Sequence, residues 1–532
     1  MSKVLIIGGG TGSTTADMLE HMSNMSVTLT EASDRLGGHI NSLYFELIGD
    51  DPYHPESYKI LSFEDAQEAF KDSKRKVVVA EGGAEFIGPP EAYPNVHTHF
   101  GKLGVKLDEY AMSTHLHPYK ENTVSNNDVV LPPIYHATEE RVAKNPQLFK
   151  QVNRRQKNMR VDLKSLFTDF PHLIELQLAL SKLAHDINSG NPSAVKTLEQ
   201  FIEDFKHNSI IPNSEIDQFA NEVLYPIVAA SWGVPILKAK EYMAHYAMNY
   251  LSLGMDWYDA PQGLSSYIHA MQERWKNCDT RTNTTVTRVE LAQSSTIEAP
   301  KYIARLSDDS ILADKEGNPI EYDEIVVATP ANVTKDILSG LRHLPEMGAL
   351  IEKLSAVRYY DTTVAFHLDK RYETDRQTVV HTRMEGDLAV NTAQKDWKGP
   401  VMKTWVLPGQ EMPNHVLSTK QYKHPHMDKA YYEAQEALRA YQNKYGIHFG
   451  GILAGLGDSH EDALTVALET AHRICEKEKC VAQNDRLKPF LTPDLKQIAR
   501  KDNEQLSAKL EARKGNHAPV NTGCCAGGCV VA

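Results

Sequence analysis

Long apolar runs are missing from this 532-residue chain: no stretch approaches the length of a membrane-spanning helix. Basic charge is in deficit as well. A net charge of −13 and a sequence pI near 6.0 argue against nucleic acid as the main partner. Cysteine is scarce in the body of the chain. Three of the six, Cys524, Cys525 and Cys529, fall in the last nine residues. The others, Cys278, Cys475 and Cys480, lack metal-ligand spacing, so inert thiols are expected, with no structural disulfide and no metal site. The N-terminus runs straight into an apolar strand, leaving no room for a signal or transit peptide, and a cytosol-like compartment is expected. Hydrophobic residues make up 41% of the chain, ample for a sizeable core, and the length favours two interleaved domains with appendages.

The stretch around which the rest is organised is Lys3 to Ser42. Val4 to Ile7 is fully apolar and suits a central parallel strand buried on both faces. Gly8, Gly9, Gly10, Thr11 and Gly12 follow at once, then a helix-like segment from about Ser13 to Met22. A second apolar strand, Val27 to Thr30, ends in Glu31. Strand, glycine turn, helix, strand and acid together form a dinucleotide-binding pattern. Glycine is required because a β-carbon would keep the backbone from a pyrophosphate seated on the helix N-terminus. Gly8 and Gly10 fit the G-x-G-x-x-G spacing, and Ser13 stands at the third position as a small substitute.

After Glu31 comes Ala32-Ser33-Asp34-Arg35-Leu36-Gly37-Gly38. This resembles the E-A-x-x-R-x-G-G signature of the FAD-binding amine oxidase and phytoene desaturase superfamily. The resemblance implies that Arg35, Gly37 and Gly38 complete the pyrophosphate site. Tyr93-Pro94-Asn95, Leu103-Gly104-Val105, Met112-Ser113 and His39 resemble a group within it described as predicted NAD/FAD-binding proteins, often found beside cyclopropane fatty acid synthases.

The resemblance extends to about residue 475. It implies that Gly82 and Gly83 lie against the flavin, that the backbone of Val286 in Thr284–Glu290 meets the adenine, and that Thr329 lies near the pyrophosphate. It also places the strand and helix around His460, Glu461, Asp462 and Ala463 at the ribityl chain and pyrimidine edge. A capped helix with acidic first-turn residues explains Glu461 and Asp462 equally well. Amine oxidases carry a lysine holding a water at the flavin N5. Thr362 or Thr363 stands about there, which puts oxidative deamination of amines in doubt. His424, Pro425 and Gln435 resemble an H-P…Q stretch of the same group, with no chemical role assigned.

Elsewhere, Leu43 to Lys76 reads as a polar surface insertion containing one short amphipathic stretch, Ser62 to Phe70. Residues 135 to 255 read as mainly helical, with Leu173–Leu183 and Leu198–Phe205 apolar at helical spacing. Arg154, Arg155, Lys157 and Arg160 form a basic cluster that a solvated helix face explains. His245 lies on an apolar segment and reads as packed.

The tail differs in kind. Thr492-Pro493 opens a charged helix closed by Gly515, and the chain ends Cys524-Cys525-Ala526-Gly527-Gly528-Cys529-Val530-Val531-Ala532. Cys529 and the three residues after it form a C-a-a-X box for a protein prenyltransferase, with Ala favouring farnesyl. One prenyl chain binds membrane only reversibly, and Cys524 and Cys525 are placed for palmitoylation as a second signal.

The sequence thus predicts an α/β protein, α+β overall. An FAD-binding domain is built from 1–90, 255–345 and 446–475, with a substrate domain from 91–254 and 346–445. A spacer and lipidated tail follow at 476–532. The expected function is an FAD-dependent oxidoreductase tethered to the cytosolic face of a membrane, a host membrane if it is a delivered bacterial protein. It would take hydride from an apolar or lipid-like substrate, with no nucleic acid partner. The flavin carries such chemistry, so no catalytic side chain is named. A catalytically idle flavin-binding module at a membrane and an amine oxidase proper are the alternatives.

Overall fold

The computed structural model describes residues 2–20, 25–90, 92–111, 114–117, 129–131, 195–251, 256–296, 299–372, 380–385, 387–395 and 398–478. Met1–Pro493 forms one compact unit and Asp494–Ala532 a second. The basic cluster at 154–160, the Leu173–Leu183 stretch, Cys480, the tail helix and the C-terminal cysteines lie outside the described residues.

The apolar start forms the centre of a five-stranded parallel sheet. Ser2–Ile7 pairs with Met25–Thr30 on one side and Glu324–Val327 on the other; Asp279–Arg281 and Ile447–Phe449 complete the edges. Strand alternation sends Val4 and Ile6 into one core and Leu5 and Ile7 into another. All four are essentially inaccessible, as a sheet covered on both faces requires. The helices Thr11–Glu20 and His460–Lys477 lie together over it, Thr15 Oγ1 reaching Ala467 O at 3.4 Å. The sheet is therefore assembled from four distant parts of the chain.

A seven-stranded sheet makes the second body. Its order is Val416–Pro425, Tyr359–His367, Met402–Val406, Leu388–Gln394, Val380–Glu385, Thr114–His117 and Val129–Leu131. Helices between Leu198 and Leu251 pack with it, and the helix Tyr225–Trp232 ends at Gly233 in the left-handed conformation. His245 is 2% exposed and stacks on Tyr246.

One reading of the sequence needs correction. The segment after Leu43 is not an irregular insertion: Ser42–Leu47, Tyr58–Leu61 and Lys76–Glu81 form a three-stranded antiparallel sheet. Phe45 joins the core beneath the second body, while Tyr44 joins a small core with Leu61, Ala66, Ala69 and Val79. Both faces are covered, which erased the alternation that marks a half-exposed strand. The amphipathic stretch is the helix Phe63–Phe70, capped by Ser62 accepting from Asp65 N–H.

Candidate functional site

The nucleotide end is built mainly from backbone. Gly8 holds φ +104°, and a Cβ there would sit 2.5 Å from Ala328 O, so only glycine brings the first strand this close to the Ala328-Thr329 turn. Gly37 N–H donates to Gly9 O at 2.7 Å, and a Cβ on Gly38 would lie 3.1 Å from Gly10 Cα. The two glycine loops thus run side by side. Arg35 braces the second, its guanidinium donating to Leu36 O, Ile40 O and Gly38 O at 3.1, 2.7 and 2.8 Å. Ser13 is fully buried and its Oγ–H donates to Gly9 O at 2.6 Å, so the hydroxyl is absorbed by the turn it follows. The helix Thr11–Glu20 carries no acid in its first turn, leaving its N-terminal field free for an anion.

Glu31 accepts from Gly9 N–H at 2.7 Å through one oxygen and from Ser33 N–H and Oγ–H, both at 2.8 Å, through the other. Spare lone pairs remain for a ribose hydroxyl. Ala32 is exposed beside it. Thr284 N–H donates to Glu31 O and Asn283 N–H to Ser33 O, both at 2.8 Å, which brings the strand starting at Val286 to the same end. Thr329 is tied to Thr334 at 2.9 Å. The residues fit an FAD dinucleotide: a cradle that a Cβ would fill, a helix N-terminus and an acid where the ribose falls. Gly8, Gly10, Gly12 and Ser13 would hold the pyrophosphate and Glu31 the ribose.

The other end is built from side chains. Gly82 N–H donates to Asn41 O at 2.7 Å and Ala84 N–H to His39 O at 2.9 Å. A Cβ on Gly83 would lie 2.1 Å from His39 O, so the Gly82-Gly83 turn lies directly on the segment after the paired glycines. Burial holds His39 down at about 4, His424 and Arg35 adding to it, although the residue keeps an exposed surface. Tyr422 meets that ring edge-on at 5.1 Å.

Behind Gly83 lies a group of buried ions that the sequence did not reveal. Lys403 Nζ donates to Glu85 at 2.8 Å and to Gly83 O at 3.1 Å. Lys395 bridges Asp259 at 2.8 Å and Glu85 at 3.2 Å, and Lys398 reaches Asp259 at 2.5 Å. Burial alone would raise Glu85; Lys403 and Lys395 beside it hold it at about 2. Burial lowers Lys403 despite its partner. On the neighbouring strand Lys403 stands opposite Phe366 and not opposite Thr363, which pairs with Val406.

At the helix His460–Lys477 the acids turn out to be caps. Both oxygens of Glu461 accept from the helix Pro94–Leu103, from Asn95 N–H at 3.0 Å and Val96 N–H at 2.9 Å. Burial raises Glu461 to about 7. Asp462 forms a capping box with Ser459, and Ala463 N–H donates to Ser459 O. Their side chains are engaged within the protein, which is compatible with a helix N-terminus that meets a flavin through its backbone. His460 packs beside Phe100 and Tyr267, burial lowering it to about 4.

Near this helix Asp458 escaped the sequence reading, and Gln435 was named there without a role. Asp458 accepts from the indole N–H of Trp232, and burial raises it to about 7. Gln435, fully buried, donates to Ile452 O at 2.9 Å and Gly457 O at 3.2 Å and pins the turn before the helix. Among the described residues Glu241, His426 and Asp428 converge, but Arg358 bridges both carboxylates at 2.6 Å, an ion-pair cluster.

Comparison with solved structures returns the same architecture. Cyclohexylamine oxidase from Brevibacterium oxydans IH-35A is 13% identical with a TM-score of 0.53, covering 90% of this chain and 99% of its own. Wild-type putrescine oxidase bound to putrescine is 14% identical with a TM-score of 0.53, covering 89% and 99%. The CLA-producing fatty acid isomerase from P. acnes is 13% identical with a TM-score of 0.50, covering 89% and 98%. At such identities the likeness is one of fold. No curated protein matches the chain. Residues 11–374 match the family described as flavin containing amine oxidoreductase, and the chain belongs to that family of FAD-dependent oxidoreductases.

Proposed function

We propose that this flavoprotein oxidises or desaturates an apolar, lipid-like substrate at a membrane to which its C-terminus is tethered. The observation that carries the substrate reading is the ring end of the site. Thr362, and not a lysine, stands on the strand that meets Gly233, beside His424 and Leu407, with Lys403 committed to Glu85. Bound FAD supplies the hydride acceptor. The chain supplies the rest: the glycine loops would hold the dinucleotide, Gly83 and His39 would line the ring, and Lys403 with Glu85 would brace Gly83 from behind.

The membrane half rests on Cys529-Val530-Val531-Ala532 with Cys524 and Cys525 upstream. No described helix is long and apolar enough to cross a membrane. Anaerobic mixing of the FAD-loaded full-length protein with fractionated lipid extracts should bleach the flavin bands with at least one fraction. Failure with every fraction while the flavin stays bound would count against a lipid-like substrate, and peroxide release with simple amines would favour amine oxidation. In a prenylation-competent cell the wild type should partition with membranes and Cys529→Ser should not.

A further inference from the structure

His424 lies at the ring end of the cofactor site, beside Trp232 and Thr362. It is carried on Val416–Pro425, directly opposite Tyr360, and Thr362 is opposite Tyr422 on the same pair of strands. Its Nδ1 lies 2.8 Å from Trp232 O. A carbonyl oxygen only accepts, so Nδ1 carries the proton and the neutral ring keeps its lone pair on Nε2. The same tryptophan donates its indole N–H to Asp458, immediately before the cap of His460–Lys477. On the other side His424 acts electrostatically on His39, the residue after the paired glycines. One histidine is thereby joined to both loops that the cofactor reading places around the flavin.

The chain around it is shaped to keep it there. Gly233 has φ +62°, and a Cβ would lie 3.0 Å from His424 Nδ1 and 2.9 Å from Thr362 Oγ1. That threonine hydroxyl is 1% exposed and has no hydrogen-bond partner in the protein. His424 is half-buried, and His39, on which it acts, keeps an exposed surface. Burial lowers its pKa, the bond to Trp232 O opposes that, and Lys403 lowers it further, keeping the ring neutral near pH 7. A half-buried base with a fixed tautomer, oriented by a second group, is the arrangement that proton abstraction needs.

We propose that His424 Nε2 is the proton acceptor of the flavin-reducing half-reaction, with the buried Thr362 hydroxyl packed beside it. This rests on the FAD reading above. In the step, one substrate C–H bond breaks with its electron pair, the hydride leaving to the oxidised flavin. A neighbouring C–H or O–H bond gives its proton to Nε2, and its electrons form the new double bond. The flavin gains two electrons, the substrate loses two electrons and two hydrogens, and His424 ends as the imidazolium.

The test needs no substrate. The two-electron potential of the bound flavin is measured between pH 5 and 9 in the full-length wild type, His424→Asn and His39→Asn. Asparagine at 424 retains a donor for Trp232 O but cannot take up a proton. Around His424 the titratable neighbours are His39, Tyr360, Tyr422, Lys403 with Glu85 and, through Trp232, Asp458. Electrons arriving on the flavin should draw a proton onto His424, so the wild-type potential should fall with pH more steeply than that of His424→Asn over at least one pH unit. One extra proton per two electrons is a tenfold change per pH unit, or about 30 mV. His39→Asn should keep the steeper slope. Parallel slopes in wild type and His424→Asn, with flavin bound and melting temperature unchanged, would overturn the proposal, as would loss of the extra slope in His39→Asn alone. A protein that binds no FAD would instead overturn the reading beneath it.

Discussion

The two ends of the cofactor site are made of different material. At the nucleotide end, Gly8, Gly10, Gly37 and Gly38 bring backbone against backbone, and Arg35 spends its donors on three carbonyls. At the ring end, Trp232, His424, Lys403, Glu85 and Asp458 come from five separate stretches and meet through side chains. A backbone site depends on where a Cβ is forbidden, so its geometry is written into the residue type. A side-chain site depends on which strands pair, which no local pattern states. The first end can tolerate changes that leave its backbone path open; the second should fail when one partner is removed.

The largest effect separating the two should come from Lys403→Met. It leaves Glu85 buried with Lys395 as its remaining partner, which should cost about 3–5 kcal/mol. Glu85 is held near 2 in the fold against an ordinary 4.5. Its contribution is therefore complete above 4.5 and lost as pH falls towards 2. Thermal melts from pH 3 to 7 should show the gap between wild type and Lys403→Met closing towards acid. A constant gap would mean that the network is not ionised as drawn.

Next is Gly8→Ala, which combines the left-handed backbone with a clash against Ala328 O and should cost about 2–3 kcal/mol and most bound flavin. Glu461→Gln tests whether the helix acids are caps. It should cost about 1 kcal/mol at pH 5 with an unchanged flavin spectrum. Because the fold raises Glu461 to about 7 from 4.5, the wild type loses stability from this group as pH rises from 4.5 through 7, and the glutamine variant does not. A flavin spectrum altered by Glu461→Gln would return this residue to the cofactor.

The smallest effect on the fold should carry the sharpest message. A Cβ on Gly10 meets nothing nearer than 3.7 Å within the protein. Gly10→Ala should therefore melt within about 0.5 kcal/mol of wild type when free of cofactor, yet bind FAD far more weakly, because the methyl group enters the pyrophosphate's place. Equal FAD titrations of the two proteins would show that the cradle is not where the nucleotide sits.

The same contrast explains what the sequence revealed. The first strand, the glycine turn, Glu31 and the paired glycines were legible because burial on two faces and close backbone approach restrict residue choice. The three-stranded sheet at 42–81 was hidden because its central strand Ser42–Leu47 is covered on both sides, Phe45 and Tyr44 feeding different cores. Lys395, Lys398 and Lys403 looked like ordinary surface lysines, since only the pairing of Met402–Val406 with Tyr359–His367 and the position of Gly83 bury Lys403. Glu461 and Asp462 carried both readings in sequence, and contacts with Asn95 and Ser459 resolve them as caps.

The visible absorption spectrum of the purified full-length chain, before and after heat denaturation, tests the central claim most directly. The account predicts the bands of an oxidised flavin on the folded protein and FAD in the supernatant after heating. A colourless protein that also fails to take up added FAD would contradict it.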